Sequence, residues 1–340
     1  MAKVKADDVY DGSKIKELPY PLNVQKRGEM YIGTRDETGY ATCIREIVNN
    51  SVDEMLAGYC DTIAVLQHDD FTFSVSDNGR GVPFDKQSDG TNTLQKIFGN
   101  LHSGRNFETK TVYSTGLNGV GSSVVNALCS SFTVEARRGS DMGQVWFENG
   151  YFIDVKVKKN QLPLDNKNFK KSSTKVTFTF NPEFFEKGSV PNPELIINFL
   201  KETAQLNVGL TVSFCDIRKG GSAALTFKFD DGIRHLLKEN LGKKGIIDPI
   251  YFPPEVVNDT KIEIAFNYTS AFNADNIESF CNTIRTSEGG THVTGFKRAI
   301  SQKLLAYVRD NGLTKEKIEN EDIYVGLEAV VSVFVFNPKY

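Results

Sequence analysis

The sequence predicts a two-domain α/β or α+β protein, and three observations carry that reading. The chain has 340 residues, with 39% hydrophobic and 24% charged side chains. That is a length for roughly two domains and a composition able to bury real cores. Segments with helical apolar spacing are interleaved with runs that alternate apolar and polar residues. A small-residue stretch, KGGSA at 219–223, separates two different patterns and is the expected domain boundary.

Residues 1–30 are polar and poorly periodic, and read as an arm rather than a core element. From Tyr40 to Gly58 the pattern is helical. Ile44, Ile47, Val48, Val52, Met55 and Leu56 form a broad apolar stripe, and Gly58 is placed to stop the helix. Strands at 61–68 and 71–77 follow, joined by a turn at Asp69-Asp70. After a glycine-rich stretch at 79–121, SSVVNALC resumes helical spacing, and alternating strands appear at 131–138, 143–152, 154–159 and 174–180. Beyond the boundary come a helix near 232–241, a strand at 261–270, a long helix near 292–311 and a final apolar strand at 326–336. The Phe-rich segments TFTF and FVF read as core rather than as stacking platforms for bases. Lys156, Lys158 and Lys159 read as a solvated strand edge.

Bulk properties exclude several classes. Five cysteines lie singly, none at C-x-x-C spacing, and four histidines add no ligand cluster, so a structural zinc or a disulfide framework is not expected. The formal charge of −3 lacks the basic excess of a domain that grips DNA alone. The longest apolar runs fall far short of the ~18 residues a membrane span needs. The first residues carry no secretory apolar region. A cytoplasmic location with no membrane partner is the expectation.

Three motifs carry chemistry. On the first helix Glu46, Asn50 and Asp53 fall within one narrow arc, a set of oxygen ligands suited to a hydrated Mg²⁺ and a water nucleophile. In SDNGRGVP, Asp77 ends a strand, where it can accept from an exocyclic amine, while Gly79 and Gly81 let backbone approach a flat base. In STGLNGVGSSVVNAL, Gly116, Gly119 and Gly121 precede a helix whose free N–H groups can cradle phosphates. Singly, these are a solvated helix face, a common D-N-G turn and a weak glycine pattern with no G-K-[ST] after it. Their order describes one nucleotide site without a P-loop.

With these residues in view, the chain resembles the GHKL ATPases (the gyrase, heat-shock chaperone, histidine kinase and MutL groups). Within them it is similar to the type IIA DNA topoisomerase ATPase subunit, of the gyrase B or topoisomerase IV ParE kind. The resemblance runs through YDGSKIKEL, MYIG, REIVNNSVDE, SDNGRGVP and GLNGVGSSVVNAL. In the second domain it continues through EGGTHVTGFKRAI and GLEAVVSV, and chaperones, kinases and mismatch-repair ATPases lack the EGGTH segment. It implies a GHKL (Bergerat) α/β sandwich with a mixed sheet at 31–222, after an N-terminal dimerisation arm at 1–30. A transducer α+β domain, C-terminally incomplete, follows at 223–340.

The resemblance also implies roles. ATP and Mg²⁺ are the expected cofactors, with Glu46 as general base and Asn50 as Mg²⁺ ligand. Asp77 would read the adenine amino group, supported by Gly81 and Thr174. Asp53, Arg80, Pro83 and Arg137 would line the adenine side, where coumarin-type inhibitors bind. Gly116, Leu117, Asn118, Gly119, Val120 and Gly121 would wrap the phosphates, and Tyr10 would reach the partner's nucleotide in a homodimer closed by ATP. Further partners implied are double-stranded DNA and a DNA-cleaving A- or ParC-type subunit forming a heterotetramer, in a nucleoid-associated setting.

Departures from the family pattern are specific. KRGEMYIG lacks the family's Pro and places Glu29 in that segment, and LHSGRNF puts Asn106 where a Lys is usual, with Arg105 as its expected substitute. Asn118 stands where many members have His. The chain stops at FNPKY, before the family's Q-T-K loop, so weak hydrolysis is expected. An alternative reading is a nucleotide-gated dimerisation module with little turnover. Gyrase and topoisomerase IV, and a bacterial or viral source, are not separated by these residues.

Overall fold

The structure, a computed structural model, describes residues 17–103, 113–116, 119–159, 172–218, 224–271, 275–336 and 338–339. Among the described residues the strands form one sheet of eight and one of five.

The first sheet contains β1 (Thr62–Gln67), β2 (Thr72–Asp77), β3 (Cys129–Arg138), β4 (Asp141–Glu148), β5 (Tyr151–Lys158), β6 (Ser172–Phe180), β7 (Thr211–Asp216) and β8 (Leu225–Phe227). Their order is β5-β4-β3-β6-β2-β1-β7-β8. The β1–β7 pair is parallel and the other pairs are antiparallel, which makes the sheet mixed as expected. Strand alternation puts Ile63, Val65, Phe73, Val75, Phe132, Val134, Val145, Phe147, Val176, Phe178, Val212 and Phe214 on the buried side. Burial of each such side chain stabilises the fold by roughly 1.5–3 kcal/mol. The TFTF segment is therefore core: Phe178 and Phe180 are fully buried and meet edge to face, ring centroids 5.3 Å apart.

Two short helices, α1 (Leu22–Lys26) and α2 (Glu29–Ile32), come first. The larger helices cover the buried side of the sheet: α3 (Glu37–Leu56) on β2, α4 (Thr93–Gly99) on β4 and β5, α5 (Gly121–Ala127) on β3, and α6 (Pro193–Leu206) on β7. Helix α3 begins three residues before the predicted start because Asp36 caps it, accepting from Thr38 N at 2.8 Å and Gly39 N at 3.3 Å. Its buried residues Ile44, Ile47, Val48 and Val52 belong to the predicted stripe, and Gly58 at φ 82 follows its end.

The structure differs from the sequence-based expectation in several places. The single strand expected over 143–152 breaks at Asn149 and Gly150, with φ 47 and 83, so that the strand expected over 154–159 falls, except for Lys159, in the second half of β5. Asn-Gly is the strongest short hairpin signal because both turn positions need φ > 0. Helix α6, capped by Asn192 and opened by Pro193, has no counterpart among the expected elements. Part of the stretch expected as an arm is packed: Val24 of α1 is fully buried. Tyr20 Oη donates to Ser123 O at 3.0 Å and accepts from Asn126 Nδ2 at 3.1 Å, tying this segment to α5.

The 219–223 stretch lies outside the described residues, and β8 beyond it still belongs to the first sheet. The second sheet runs β12 (Ile284–Arg285), β11 (Asn276–Cys281), β13 (Leu327–Phe334), β10 (Thr260–Tyr268), β9 (Ile250–Val257). Helix α7 (Ile233–Leu241) packs on one face with Phe280 and Val330, and α8 (Thr291–Asp310) on the other with Leu327, Ala329 and Val331. Odd and even positions of β13 thus serve two cores, which is why its sequence is apolar throughout. Among the described residues no helix is long and apolar enough to cross a membrane.

Candidate functional site

The face of α3 turned away from the sheet core meets the end of β2, the segment Tyr113–Gly116 and the start of α5. Glu46 is half-buried there, and burial raises its carboxyl above the usual range, with Asp53 adding to the rise and Arg45 opposing it. A Cβ on Gly121 would overlap Glu46 Oε2, so only glycine at that position lets this carboxylate lie against the first turn of α5. One turn along α3, Asn50 Nδ2 donates to Glu46 O at 3.1 Å and to Ser122 Oγ at 2.8 Å. Among the described residues no donor reaches Asn50 Oδ1. An amide oxygen beside one carboxylate fits a Mg²⁺ that keeps several waters, rather than an all-protein cage.

Asp53, by contrast, is engaged. Its Oδ1 accepts from Thr115 N at 2.7 Å and Thr115 Oγ1 at 2.8 Å, and its Oδ2 from Ser114 Oγ at 2.7 Å. The residue predicted as a third oxygen ligand on the same arc therefore anchors the glycine-rich loop. Burial raises its carboxyl and these hydrogen bonds hold it back.

Asp77 closes β2 opposite Thr174 of β6. Its Oδ2 accepts from Ser51 Oγ at 2.9 Å and its Oδ1 from Gly79 N at 2.9 Å. Burial pushes it up to about 6 despite these bonds, with Glu54 contributing in the same direction. Gly81 has φ 75, and a Cβ there would overlap the carbonyl oxygen of Arg137 on β3. This contact closes the D-N-G-R-G turn onto the neighbouring strand. Thr174 is buried and pairs with Asp77 and Ala136, Arg137 is half-buried, and Pro83 is exposed. These groups line the candidate slot, with half-buried Asp77 at one end and the glycine-lined start of α5 at the other.

Two family models match the chain: "Histidine kinase-, DNA gyrase B-, and HSP90-like ATPase" over residues 35–183 and "DNA gyrase B" over 229–340. The 43K ATPase domain of Thermus thermophilus gyrase B, solved with an aminocoumarin, superposes with a TM-score of 0.77 at 33% identity, covering 94% of this chain and 82% of that one. The chain belongs to the gyrase B and topoisomerase IV ATPase family. The topoisomerase IV ATP-binding domain of Francisella tularensis, solved with a small-molecule inhibitor, gives a TM-score of 0.76 at 30% identity over 94% of this chain and 82% of its own. The DNA gyrase B protein of Thermotoga maritima is 38% identical over 97% of this chain and 52% of its own length. The chain thus spans about half the length of the curated relatives it matches, 52% of this one. Its fold is the GHKL sandwich followed by the second domain of the gyrase B family.

Within that frame the structure brings together Glu46, Asn50, Asp53, Asp77, Gly81, Gly116, Gly121 and Thr174, while Gly119, at φ 58, and Val120 lead into α5. Tyr10, Arg105, Asn106, Leu117 and Asn118 lie outside the described residues. Glu29 pairs with Arg35 at 2.7 Å, a partner on its own segment rather than in the slot. Sequence reasoning misses Glu54, which grips Arg80 through both oxygens, and Ser51, which holds Asp77. Glu54 stands one turn beyond Asn50, so the helical spacing that links Glu46 and Asn50 contains it. Tyr59, with the Arg80 guanidinium 3.9 Å from its ring centroid, has no local signal.

Proposed function

We propose that this chain is the ATP-binding and ATP-hydrolysing region of the gyrase B-type subunit of a type IIA DNA topoisomerase. It divides into an N-terminal arm, an ATP-binding domain and a transducer domain. The arrangement of Glu46 against Gly121, with Asn50 fastened to Ser122 one turn away, carries the reading. A half-buried carboxylate with a raised pKa beside a glycine-lined helix start suits a base that orients water at a terminal phosphate.

In this reading Asp77 accepts from the adenine amino group, and Gly81 and Thr174 leave room for the base. Arg80, Pro83, Arg137 and Asp53 border the adenine side, where a coumarin-type inhibitor would compete. The Gly116–Gly121 loop and Arg105 face the phosphates. Asn50 holds Mg²⁺, which supplies charge neutralisation at the phosphate oxygens when bound. Glu46 takes the proton of the attacking water while the loop's N–H groups stabilise charge on the departing phosphate. Before hydrolysis, bound ATP closes two copies of the chain, with Tyr10 crossing to the partner, into a clamp on a double-stranded DNA segment, and hydrolysis resets it. A DNA-cleaving A-type subunit completes a heterotetramer in the cytoplasm, at the nucleoid.

Calorimetry and sedimentation with Mg²⁺ and a non-hydrolysable ATP analogue test this. The unaltered chain is expected to bind and dimerise, Asn50→Ala to lose binding, and Glu46→Ala to keep it while hydrolysis falls ~10²–10⁴-fold. Unchanged hydrolysis in Glu46→Ala would remove Glu46 as the base, and binding with dimerisation but no hydrolysis in the unaltered chain would leave a dimerisation module. No Mg²⁺-dependent nucleotide binding by the unaltered chain would sink the whole proposal.

A further inference from the structure

The slot and the second domain meet through one buried side chain. Asn282 lies in the turn between β11 and β12, 1% exposed, with φ 48. Its Nδ2 donates to Ser114 O at 2.8 Å and to Val335 O at 3.0 Å. Its Oδ1 accepts from Val335 N at 2.8 Å, and its own N–H donates to Val333 O at 2.8 Å. Ser114 is in turn fastened to the site, its Oγ donating to Asp53 Oδ2 at 2.7 Å. The residue before it, Tyr113, stacks on Phe336 with ring centroids 4.7 Å apart and leans on Phe334 at 5.9 Å. A continuous line therefore runs from α3 through Asp53, Ser114 and Asn282 to the end of β13.

Other contacts between the two domains are of different kinds: Leu206 of α6 is buried in the core that α7 forms with Phe280 and Val330, and Gln205 Nε2 donates to Glu239 Oε2 at 2.7 Å. Arg285 pairs with Glu202 of α6, and Lys201 with Glu239 of α7 at 2.6 Å, between side chains that remain partly solvent-exposed. Such pairs exchange readily with water and contribute little. A buried amide with both its donor and acceptor sides engaged cannot shift by an ångström without leaving a group unpaired, at about 1–3 kcal/mol each. Movement at this joint is therefore discrete rather than graded.

We propose that Asn282 is the positioning residue that couples occupancy of the nucleotide slot to the second domain, by locking Ser114, and with it Asp53, to the end of β13. This rests on the ATP-site reading above. Nucleotide that shifts Asp53 or Thr115 moves Ser114 or holds it fast. Because Asn282 bonds both polar groups of Val335, the end of β13 follows. By reciprocity, the second domain biases the slot by the same factor.

Hydrogen exchange on the full chain, with and without Mg²⁺ and the non-hydrolysable analogue, tests the coupling, alongside calorimetric affinity. In the unaltered chain the analogue is expected to slow exchange of β11 and β13 amides by about tenfold, within the usual range of coupling factors. Asn282→Gly suits the left-handed backbone and keeps the main-chain bond to Val333 while removing the bridge. It is expected to bind the analogue and to retain slowing around α3 and α5, with the slowing at β11 and β13 lost. Asn282→Asp, of equal size but presenting an oxygen to two carbonyls, is expected to behave the same way. Full second-domain slowing in both variants, or none in an unaltered chain that binds the analogue, overturns the coupling alone. Failure of the unaltered chain to bind the analogue overturns the nucleotide reading and the coupling together.

Discussion

Both oxygens of Glu54 hold Arg80: Oε1 accepts from Nη2 at 2.6 Å, and Oε2 from Nε at 2.9 Å and from the Arg80 main-chain N–H at 3.1 Å. The guanidinium also lies over Tyr59, 3.9 Å from the ring centroid. The D-N-G-R-G turn is thereby pinned to the last turn of α3 by a planar fork that lysine cannot reproduce. Arg80→Lys is expected to lower stability by about 1–2 kcal/mol and to weaken analogue binding severalfold. Thermal melts with calorimetry check it, and an unchanged affinity would remove Arg80 from the adenine side.

Asp77 gives a pH dependence with a definite sign. Its carboxyl ordinarily titrates at 3.8 and in the fold is pushed up to about 6, so between those values the folded chain holds the proton more tightly than the unfolded one. The unliganded fold therefore loses stability as pH rises through that window. Adenine recognition needs the ionised form, so analogue affinity is expected to fall about tenfold per pH unit below the folded pKa. Asp77→Asn should flatten that profile, as read by calorimetry from pH 5 to pH 8.

The contact between Gly121 and Glu46 lends itself to a double-mutant cycle. Gly121 sits in the first turn of α5 without positive φ, so alanine there is conformationally favourable, and its nearest neighbours are the Glu46 carboxylate and, at 3.3 Å, the Glu46 Cβ. Gly121→Ala alone is expected to destabilise by about 1–3 kcal/mol through overpacking. In a Glu46→Ala background the same change should be neutral or stabilising. Additive effects in denaturant titrations would show that the two groups do not touch.

The Asn149-Gly150 hairpin carries a structural prediction. Gly150 has φ 83, and a Cβ there would press on Pro21 and Ala127, so Gly150→Ala combines strain with a clash. A loss of about 2–4 kcal/mol is expected. Gly58→Ala, also at positive φ (82) but with open space around it, should cost about 1 kcal/mol. Melting temperatures that fail to separate the two variants would remove the role assigned to packing of the Tyr20–Lys26 segment.

Much of this is legible along the chain because it depends on local periodicity. The stripe from Ile44 to Val52 and the polar arc from Glu46 to Asn50 follow from helix geometry, and Gly81 and Gly121 are glycines because another group occupies their Cβ space. The motif order groups Asp77, the Gly-rich segment and α3 as one expected nucleotide site. What the sequence could not decide are the pairings between segments distant along the chain. Asp53 spends its oxygens on Ser114 and Thr115 rather than facing outward with Glu46, because the loop returns across α3 only in the folded chain. Val24 becomes core because Tyr20 finds Ser123, 103 residues away. Asn282 carries no signal in local spacing, and its role appears only when β11 pairs with β13 and brings Ser114 to its amide. Local spacing determines which side chains share a face, and only the closing of long loops determines which faces meet.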